Sequence, residues 1–112
     1  MKKVLVSLFI LVCLFVSCRR GDCSKGTPQC IKGKITDFDK TACDNGKVEE
    51  YVFQGQTVYL FETGNTCGAD LTSEVTDENC VTLGYLGGIA GNTKINNEDF
   101  SHANFKRKIW SK

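Results

Sequence analysis

Seven cysteines carry the clearest chemistry of this sequence, because a thiol can form a disulfide, attack an electrophile or accept a lipid. Twelve residues separate Cys30 from Cys43, and twelve also separate Cys67 from Cys80. This repeated spacing favours the bridges Cys30–Cys43 and Cys67–Cys80, each closing a loop of about 14 residues and stabilising the fold by about 3 kcal/mol. Four cysteines allow three connectivities, so the pairing stays open. Cys23 is left over, either as a free thiol or as a link between molecules.

The first 17 residues have the pattern of a secretory leader. Lys2 and Lys3 form a basic start, and an apolar run from Val4 to Val16 follows them. The run is about 13 residues long, whereas a membrane-spanning helix needs about 20. The sequence therefore predicts a leader that is removed rather than a permanent transmembrane helix. Export places the remaining cysteines in oxidising surroundings, where paired cysteines form disulfides.

Cys18 is predicted to become the lipid-bearing first residue of the mature chain. Phe15 is unsuited to ordinary signal peptidase, which needs a small residue three positions before the end of the leader. The segment Leu14–Cys18 instead resembles a lipobox, although Phe15 stands where that pattern usually has Leu. Acyl chains such as palmitate, at about 0.8 kcal/mol per buried CH₂, would hold the protein on a bilayer. An uncleaved anchor with an incidental cysteine is the alternative.

The predicted organisation is a leader over residues 1–17, a flexible tether over 18–26 and a single domain over 27–112. The net charge is only +1, but residues 37–99 hold twelve acidic and three basic side chains, whereas both flanks are basic. Two interpretations of the basic flanks stay open: contact with anionic headgroups, at up to about 1 kcal/mol per residue, or ordinary solvated charge. The acidic centre and the predicted compartment disfavour nucleic-acid binding.

One helix is predicted in the domain. Thr27 and Pro28 look like an N-cap followed by the first helical residue, and the helix should end near Lys40. Its apolar stripe is formed by Ile31, Ile35 and Phe38.

Val48–Gln54 and Thr57–Glu62 are predicted to form a hairpin around Gly55. Tyr51, Phe53, Val58 and Leu60 fall on one face of it, and Val48, Val52, Tyr59 and Phe61 fall on the other. The helix can cover only one face, so the set Val48, Val52, Tyr59 and Phe61 is a candidate binding surface, with core as the favoured interpretation.

Further strands are predicted over Leu71–Thr76, Val81–Ile89 and Phe105–Trp110, with turns at Asp77 to Asn79 and at Asn96-Asn97. The expected fold class is α+β: one N-terminal helix packed on a small antiparallel β-sheet and stabilised by disulfides.

None of the remaining candidate clusters has the residue spacing of a known catalytic or ligand-binding motif. The glycine-rich segment Gly84–Asn92 lacks the P-loop and dinucleotide patterns, which favours structural turns, although it is a second candidate contact region. Asp70, Asp77, Glu78 and Asn79 fit no calcium-loop spacing, so no metal or cofactor is predicted. His102 has no Ser or Cys in a recognisable nucleophile motif with which it could form a catalytic triad. Glu49, Glu50 and Glu62 could supply a pair of carboxylates for hydrolysis, but such pairs occur on any strand. No catalytic residue is assigned.

Several segments together carry a resemblance to a known family: Cys30-Ile31, Val48-Glu49-Glu50-Tyr51, Val58-Tyr59, Cys67-Gly68-Ala69-Asp70, Cys80, Leu83 to Asn92, Phe100 and Ile109-Trp110. On these residues the chain resembles a family of uncharacterised Bacteroidetes-type lipoproteins that carry a small domain of unknown function. The resemblance implies a lipid-anchored envelope protein and supports the four paired cysteines as a framework. Surface-exposed members usually have acidic residues after the lipidated cysteine. Arg19-Arg20 in that place implies an outer-membrane lipoprotein that faces the periplasm.

The leading hypothesis is a non-enzymatic binding or interaction module, held on the membrane by Cys18, whose partner is an unidentified envelope protein or ligand. The alternative is a small envelope enzyme or a thiol-active protein that uses Cys23 or a carboxylate pair. The sequence contains no Cys-x-x-Cys motif that would favour a redox role. A calcium-stabilised module is a third option.

Overall fold

The computed structural model describes residues 26–112 as an α+β fold in which one helix packs on an antiparallel sheet. The predicted leader, Cys18 and Cys23 lie outside the described residues. Within the described part of the chain, no helix is both long and apolar enough to cross a membrane. The predicted fold class, with its disulfide bonds, is confirmed.

The helix, α1, spans Gln29–Asp39 near the start of the described residues. Pro28 occupies the N-cap position, one residue later than predicted, and no side chain caps the helix. The predicted cap at Thr27 is therefore wrong, because its hydroxyl instead accepts a hydrogen bond from Arg107 at 3.4 Å. The predicted end of the helix is confirmed, since Lys40 is the C-cap residue.

Five strands form the main sheet in the order β4-β3-β2-β1-β7, with every neighbouring pair antiparallel. Their bounds are β1 Lys47–Phe53, β2 Gln56–Glu62, β3 Thr72–Asp77, β4 Thr82–Gly87 and β7 Asn104–Ser111. A second, two-stranded sheet is formed by β5 Lys94–Ile95 and β6 Glu98–Asp99, and the 3₁₀ turn Phe100–His102 follows it. The predicted strands agree with those of the main sheet to within about two residues, which is the usual uncertainty of element ends.

Two-residue turns set the register of both hairpins. Gln54 and Gly55 join β1 to β2 with φ of 51° and 74°, and Asn96 and Asn97 join β5 to β6 with φ of 50° and 66°. Positive φ at both central residues matches the right-handed twist of paired strands; Gly55, Asn96 and Asn97 tolerate it readily, whereas it is uncommon for a residue such as Gln54. The resulting register pairs Val48 with Phe61 and places hairpin residues on alternate faces.

The face of the sheet beneath α1 is the interior of the protein. Val48, Tyr59 and Phe61 are at most 1% exposed and form one core cluster with Ile31 of the helix. Phe38 packs edge-on against the Phe61 ring at a centroid distance of 5.4 Å.

The candidate binding surface on that hairpin face is therefore wrong for Val48, Tyr59 and Phe61. The helix covers these side chains, and Val52, near the end of β1, is only half-buried. Each fully buried apolar side chain stabilises the fold by about 1.5–3 kcal/mol, which explains why these residues pack rather than face water.

The opposite face of the sheet is covered by the segment that connects β4 to β7. Ile95 and Phe100 from this segment pack on Phe53, Val58, Leu60 and Val75 of the sheet. The fold therefore has three layers: helix, sheet and the β5–β6 hairpin with its turn. Both apolar faces of the predicted hairpin are thus covered by other segments of the same chain.

The disulfides join Cys30 to Cys80 and Cys43 to Cys67, with Cα atoms 6.1 and 5.2 Å apart. The pairing expected from the equal spacing is wrong. Cys30 is the second residue of the 11-residue helix, and Cys43 lies four residues beyond its end. The helix is about 16 Å long, whereas a bridge needs Cα atoms within about 7 Å. Cys67 and Cys80 likewise lie beyond opposite ends of β3, about 20 Å long. The observed bridges instead tie both ends of the helix to the sheet.

Candidate functional site

An open groove of about 420 Å³ lies on the face of the sheet opposite α1, between the end of β4 and the turn that follows β6. We call it the aromatic groove, and it is lined by Tyr51, Leu86, Asn92, Thr93, Asp99, Phe100, Ser101 and Ala103. It adjoins the glycine-rich segment Gly84–Asn92, the second contact region suggested by the sequence.

The floor of the groove is built on Tyr51 of β1. Its ring makes edge-on contacts with Phe100 and Phe105, at centroid distances of 5.1 and 5.5 Å. The Tyr51 hydroxyl donates a hydrogen bond to Glu49 Oε1 at 3.1 Å. Burial, with the negative charge of Glu49, raises the pKa of Tyr51 to about 12. The hydroxyl therefore stays protonated at neutral pH and acts as a fixed donor.

Asp99 and Ser101 form one rim of the groove. Asp99 is the N-cap of the 3₁₀ turn, and its Oδ1 accepts a hydrogen bond from the Ser101 backbone N–H at 2.9 Å. Hydrogen bonds from Ser101 hold the pKa of the Asp99 carboxyl below its usual range. The rim therefore carries a negative charge at neutral pH, next to an aromatic floor.

Asn92 forms the opposite wall. Its side-chain amide donates to the carbonyl oxygens of Tyr85 and Lys94 at 2.6 and 2.9 Å. Two backbone hydrogen bonds, of 2.8 and 3.1 Å, join Asn92 to Gly87 and close a tight loop over residues 88–91. Gly87 has a φ of 82°, a left-handed conformation that glycine adopts without strain.

Ile89 stands at the tip of that loop and is 92% exposed. An apolar side chain in this position is not stabilised by burial in the core. The Gly84–Asn92 segment thus supplies Leu86 and Asn92 to the groove and presents one unburied aliphatic side chain beside it.

The carboxylates suggested by the sequence are held in separate ion pairs. Glu49 and Glu62 flank the Lys47 ammonium at 3.6 and 3.5 Å, and their negative charges raise the pKa of Lys47. Glu50 points to the other face of the sheet and accepts a bond from Arg107 Nε at 3.1 Å. The sheet separates Glu50 from the other two, so the structure does not bring these three carboxylates together as one catalytic site.

The acidic turn and His102 have local partners. Asp77 Oδ1 accepts hydrogen bonds from the backbone N–H groups of Asn79 and Val81, at 2.8 and 2.9 Å. His102 Nδ1 lies 3.1 Å from Glu98 Oε2. Over residues 26–112, no three His, Cys, Asp or Glu side chains are placed to hold a metal ion.

Thr93, Asp99, Phe100, Ser101 and Ala103 are groove residues that the sequence did not suggest. The β5 and β6 strands that position them are two residues long, too short to give an alternating pattern. One available signal was Asp99 two residues before Ser101, the spacing at which an Asp side chain caps a turn.

The structure defines a small disulfide-bonded α+β domain with an open groove on one face of its sheet. The chain belongs to the family described as Domain of unknown function (DUF6970), whose model matches residues 34–112. The resemblance to a family with a small domain of unknown function is thereby confirmed, and this domain covers nearly all of the folded chain. No curated protein and no solved structure matches the chain.

Proposed function

We propose that this protein is a lipid-anchored lipoprotein of the bacterial cell envelope, and that its domain is a non-enzymatic binding module that uses the aromatic groove. Within this proposal Cys18 carries the acyl chains, and the protein sits in the outer membrane of a Bacteroidetes-type envelope and faces the periplasm. The partner is an envelope protein or ligand that contacts the groove and the loop bearing Ile89.

The groove is the observation that supports a binding role. It combines an aromatic floor at Tyr51 and Phe100, a charged rim at Asp99 and an exposed aliphatic tip at Ile89. Small-molecule and peptide sites share this composition, with apolar lining and few polar groups.

Two features support export and anchoring. The disulfides Cys30–Cys80 and Cys43–Cys67 are expected in an oxidising compartment and rare in the cytosol. The leader ends in the lipobox-like segment before Cys18. Neither feature depends on the groove, so anchoring and binding are tested separately.

Anchoring is tested by expressing the full chain in a bacterium and measuring the mass of its N-terminal peptide. We expect a peptide that begins at Cys18 and carries acyl chains, and we expect the protein in the membrane fraction. The Cys18→Ala variant should lose the lipid. A wild-type chain that begins at Met1, or an unmodified Cys18, would contradict the anchor.

Binding at the groove is tested with a photoreactive residue placed at Ile89 in the full chain in living cells. We expect a discrete crosslinked product at Ile89 and none from the same residue at Thr36, an exposed site on α1 at the other face. Thr93→Trp, which fills the groove from an exposed lining position, should reduce that product, whereas Thr36→Trp should not. Equal products from both sites, or no effect of Thr93→Trp, would contradict the proposed site.

A further inference from the structure

Strand β7 forms one edge of the main sheet. Its pairing partner is β1, and within residues 26–112 no strand pairs with its outer side. An uncovered edge of eight residues presents free backbone donors and acceptors, which proteins usually protect with charge or with a covering surface. Phe105 on this strand is 55% exposed although its ring touches Tyr51.

Two lysines beside Phe105 have no counter-ion among the residues that the structure describes. Lys106 and Lys108 are exposed, and neither has an acidic group within ion-pair distance. Arg107 between them is paired with Glu50 at 3.1 Å. The edge therefore presents an exposed aromatic ring next to two unneutralised positive charges.

The described chain begins against this same strand. Thr27 accepts a hydrogen bond from the Arg107 guanidinium, and Gly26 lies beside the same group. Eight residue steps lead from Gly26 back to Cys18, and they can span at most about 29 Å. The length of β7 itself is about 27 Å. A lipid on Cys18 would thus hold β7 within roughly its own length of the bilayer.

We infer that the Phe105–Lys108 segment of β7 docks on the surface of an anionic phospholipid leaflet. Phe105 enters the headgroup boundary, while Lys106 and Lys108 contact headgroup phosphates. The inference rests on the proposed lipid anchor, which brings this edge and the bilayer together. One lipid signal combined with a basic patch is the arrangement that gives stable membrane attachment.

Docking in this way has a consequence for the aromatic groove. The β4 strand lies at the opposite edge of the sheet from β7, and the loop that bears Ile89 follows β4. With β7 on the membrane, that loop points away from the bilayer toward the aqueous compartment. The docked domain would therefore keep its proposed binding tip available to a partner.

The experiment uses the full-length protein recovered from membranes and reconstituted into vesicles that contain a dansyl-labelled lipid. Trp110, the only tryptophan of the chain, lies on β7 and acts as the energy donor. Transfer from Trp110 is compared in phosphatidylcholine vesicles and in phosphatidylcholine vesicles that contain phosphatidylglycerol. We expect higher transfer with phosphatidylglycerol, and we expect the excess to vanish at about 1 M salt, where the Debye length is about 3 Å.

The Lys106→Gln/Lys108→Gln variant should lower the docking equilibrium constant by roughly 25-fold, about fivefold for each lysine. The matched control, Lys40→Gln/Lys94→Gln, removes the same charge from exposed sites outside β7 and should retain the excess transfer. Equal transfer in the two kinds of vesicle, or equal losses in both variants, would overturn the inference. So would excess transfer that appears only when an acidic protein is added, since β7 would then bind protein.

Failure of the anchor gives a different result. The mass of the N-terminal peptide in the same preparation shows whether Cys18 is acylated. An acylated protein without excess transfer refutes docking and leaves the anchor in place. An unacylated protein that still shows salt-sensitive excess transfer refutes the anchor and leaves the lipid-binding edge.

Discussion

Removal of cysteines in defined pairs gives the sharpest test of how the fold is stabilised. The structure joins Cys30 to Cys80 across 50 residues and Cys43 to Cys67 across 24. In the chain-entropy treatment of disulfides, loops of these lengths correspond to about 4 and about 3.5 kcal/mol of the free energy of unfolding. Each value is a large fraction of the 5–15 kcal/mol typical of a domain.

Double substitutions separate the observed pairing from the pairing suggested by spacing. Cys30→Ala/Cys80→Ala removes one bridge, so we expect a loss of about 4 kcal/mol, close to that of Cys30→Ala alone. Cys30→Ala/Cys43→Ala removes both bridges and should lose about 7.5 kcal/mol, enough to leave much of the protein unfolded.

The assay is urea unfolding of the mature chain, with remaining thiols alkylated to prevent exchange. Peptide mapping without reductant should give linked peptides that contain Cys30 with Cys80 and Cys43 with Cys67. If the loss in Cys30→Ala/Cys43→Ala equals that in Cys30→Ala alone, those two cysteines form one bridge, and the structural assignment is refuted.

Four further predictions concern single groups. Asn45→Ala should cost about 1–3 kcal/mol in urea unfolding, because Asn45 Oδ1 accepts from the N–H groups of residues 65 and 66; a loss below about 0.5 kcal/mol would show that these bonds are dispensable. Thr76→Val should be neutral or stabilise by up to about 1 kcal/mol, since the buried Thr76 hydroxyl has no partner among the described residues; a clear destabilisation would reveal a hidden partner. Burial raises the pKa of both Tyr51 and Tyr59 to about 12, so their stabilising effect is complete below pH 10 and is lost as the pH rises from about 10 to about 12. Absorbance titration should show two late-titrating tyrosines, and Tyr51→Phe should leave one; ionisation of both near pH 10 in the folded state would contradict this. Thiol titration of the folded chain that begins at Cys18, the first residue under the proposed anchoring, should find at most one free thiol, Cys23, because Cys18 would carry the lipid and Cys30, Cys43, Cys67 and Cys80 are paired; two or more would contradict the pairing.

The main elements were predictable because each has a strong local signal. The apolar stripe Ile31, Ile35 and Phe38 recurs at helical spacing, and Gln54-Gly55 lies between two β-rich runs. These patterns come from neighbouring residues, so they do not depend on how distant parts of the chain meet. The predicted cap at Thr27 failed for the opposite reason, since its partner, Arg107, is 80 residues away in the sequence.

The cysteine pairing was not predictable from spacing, because each of the two equal separations in sequence contains a rigid element. The helix holds Cys30 and Cys43 near its opposite ends, and β3 lies between Cys67 and Cys80, so both pairs are too far apart to form a bridge. Pairing is decided by which element ends meet in space. Cys30 at the start of α1 reaches Cys80 in the β3–β4 turn, and Cys43 after α1 reaches Cys67 in the β2–β3 loop.

The groove was not predicted from the sequence, because the hairpin has two apolar faces and the sequence indicated only one element, α1, that could cover a face. The sequence gave no strong pattern for the short β5–β6 segment, and the candidate surface was therefore placed on the wrong face, whose Val48, Tyr59 and Phe61 are covered by α1. Ile95 and Phe100 cover the opposite face of the hairpin, where they pack on Phe53 and Val58. The cover does not close over Tyr51 and Leu86, and the aromatic groove is what remains open there. The binding site that we propose therefore arises where a short, weakly patterned segment covers most of an apolar sheet and stops before its end.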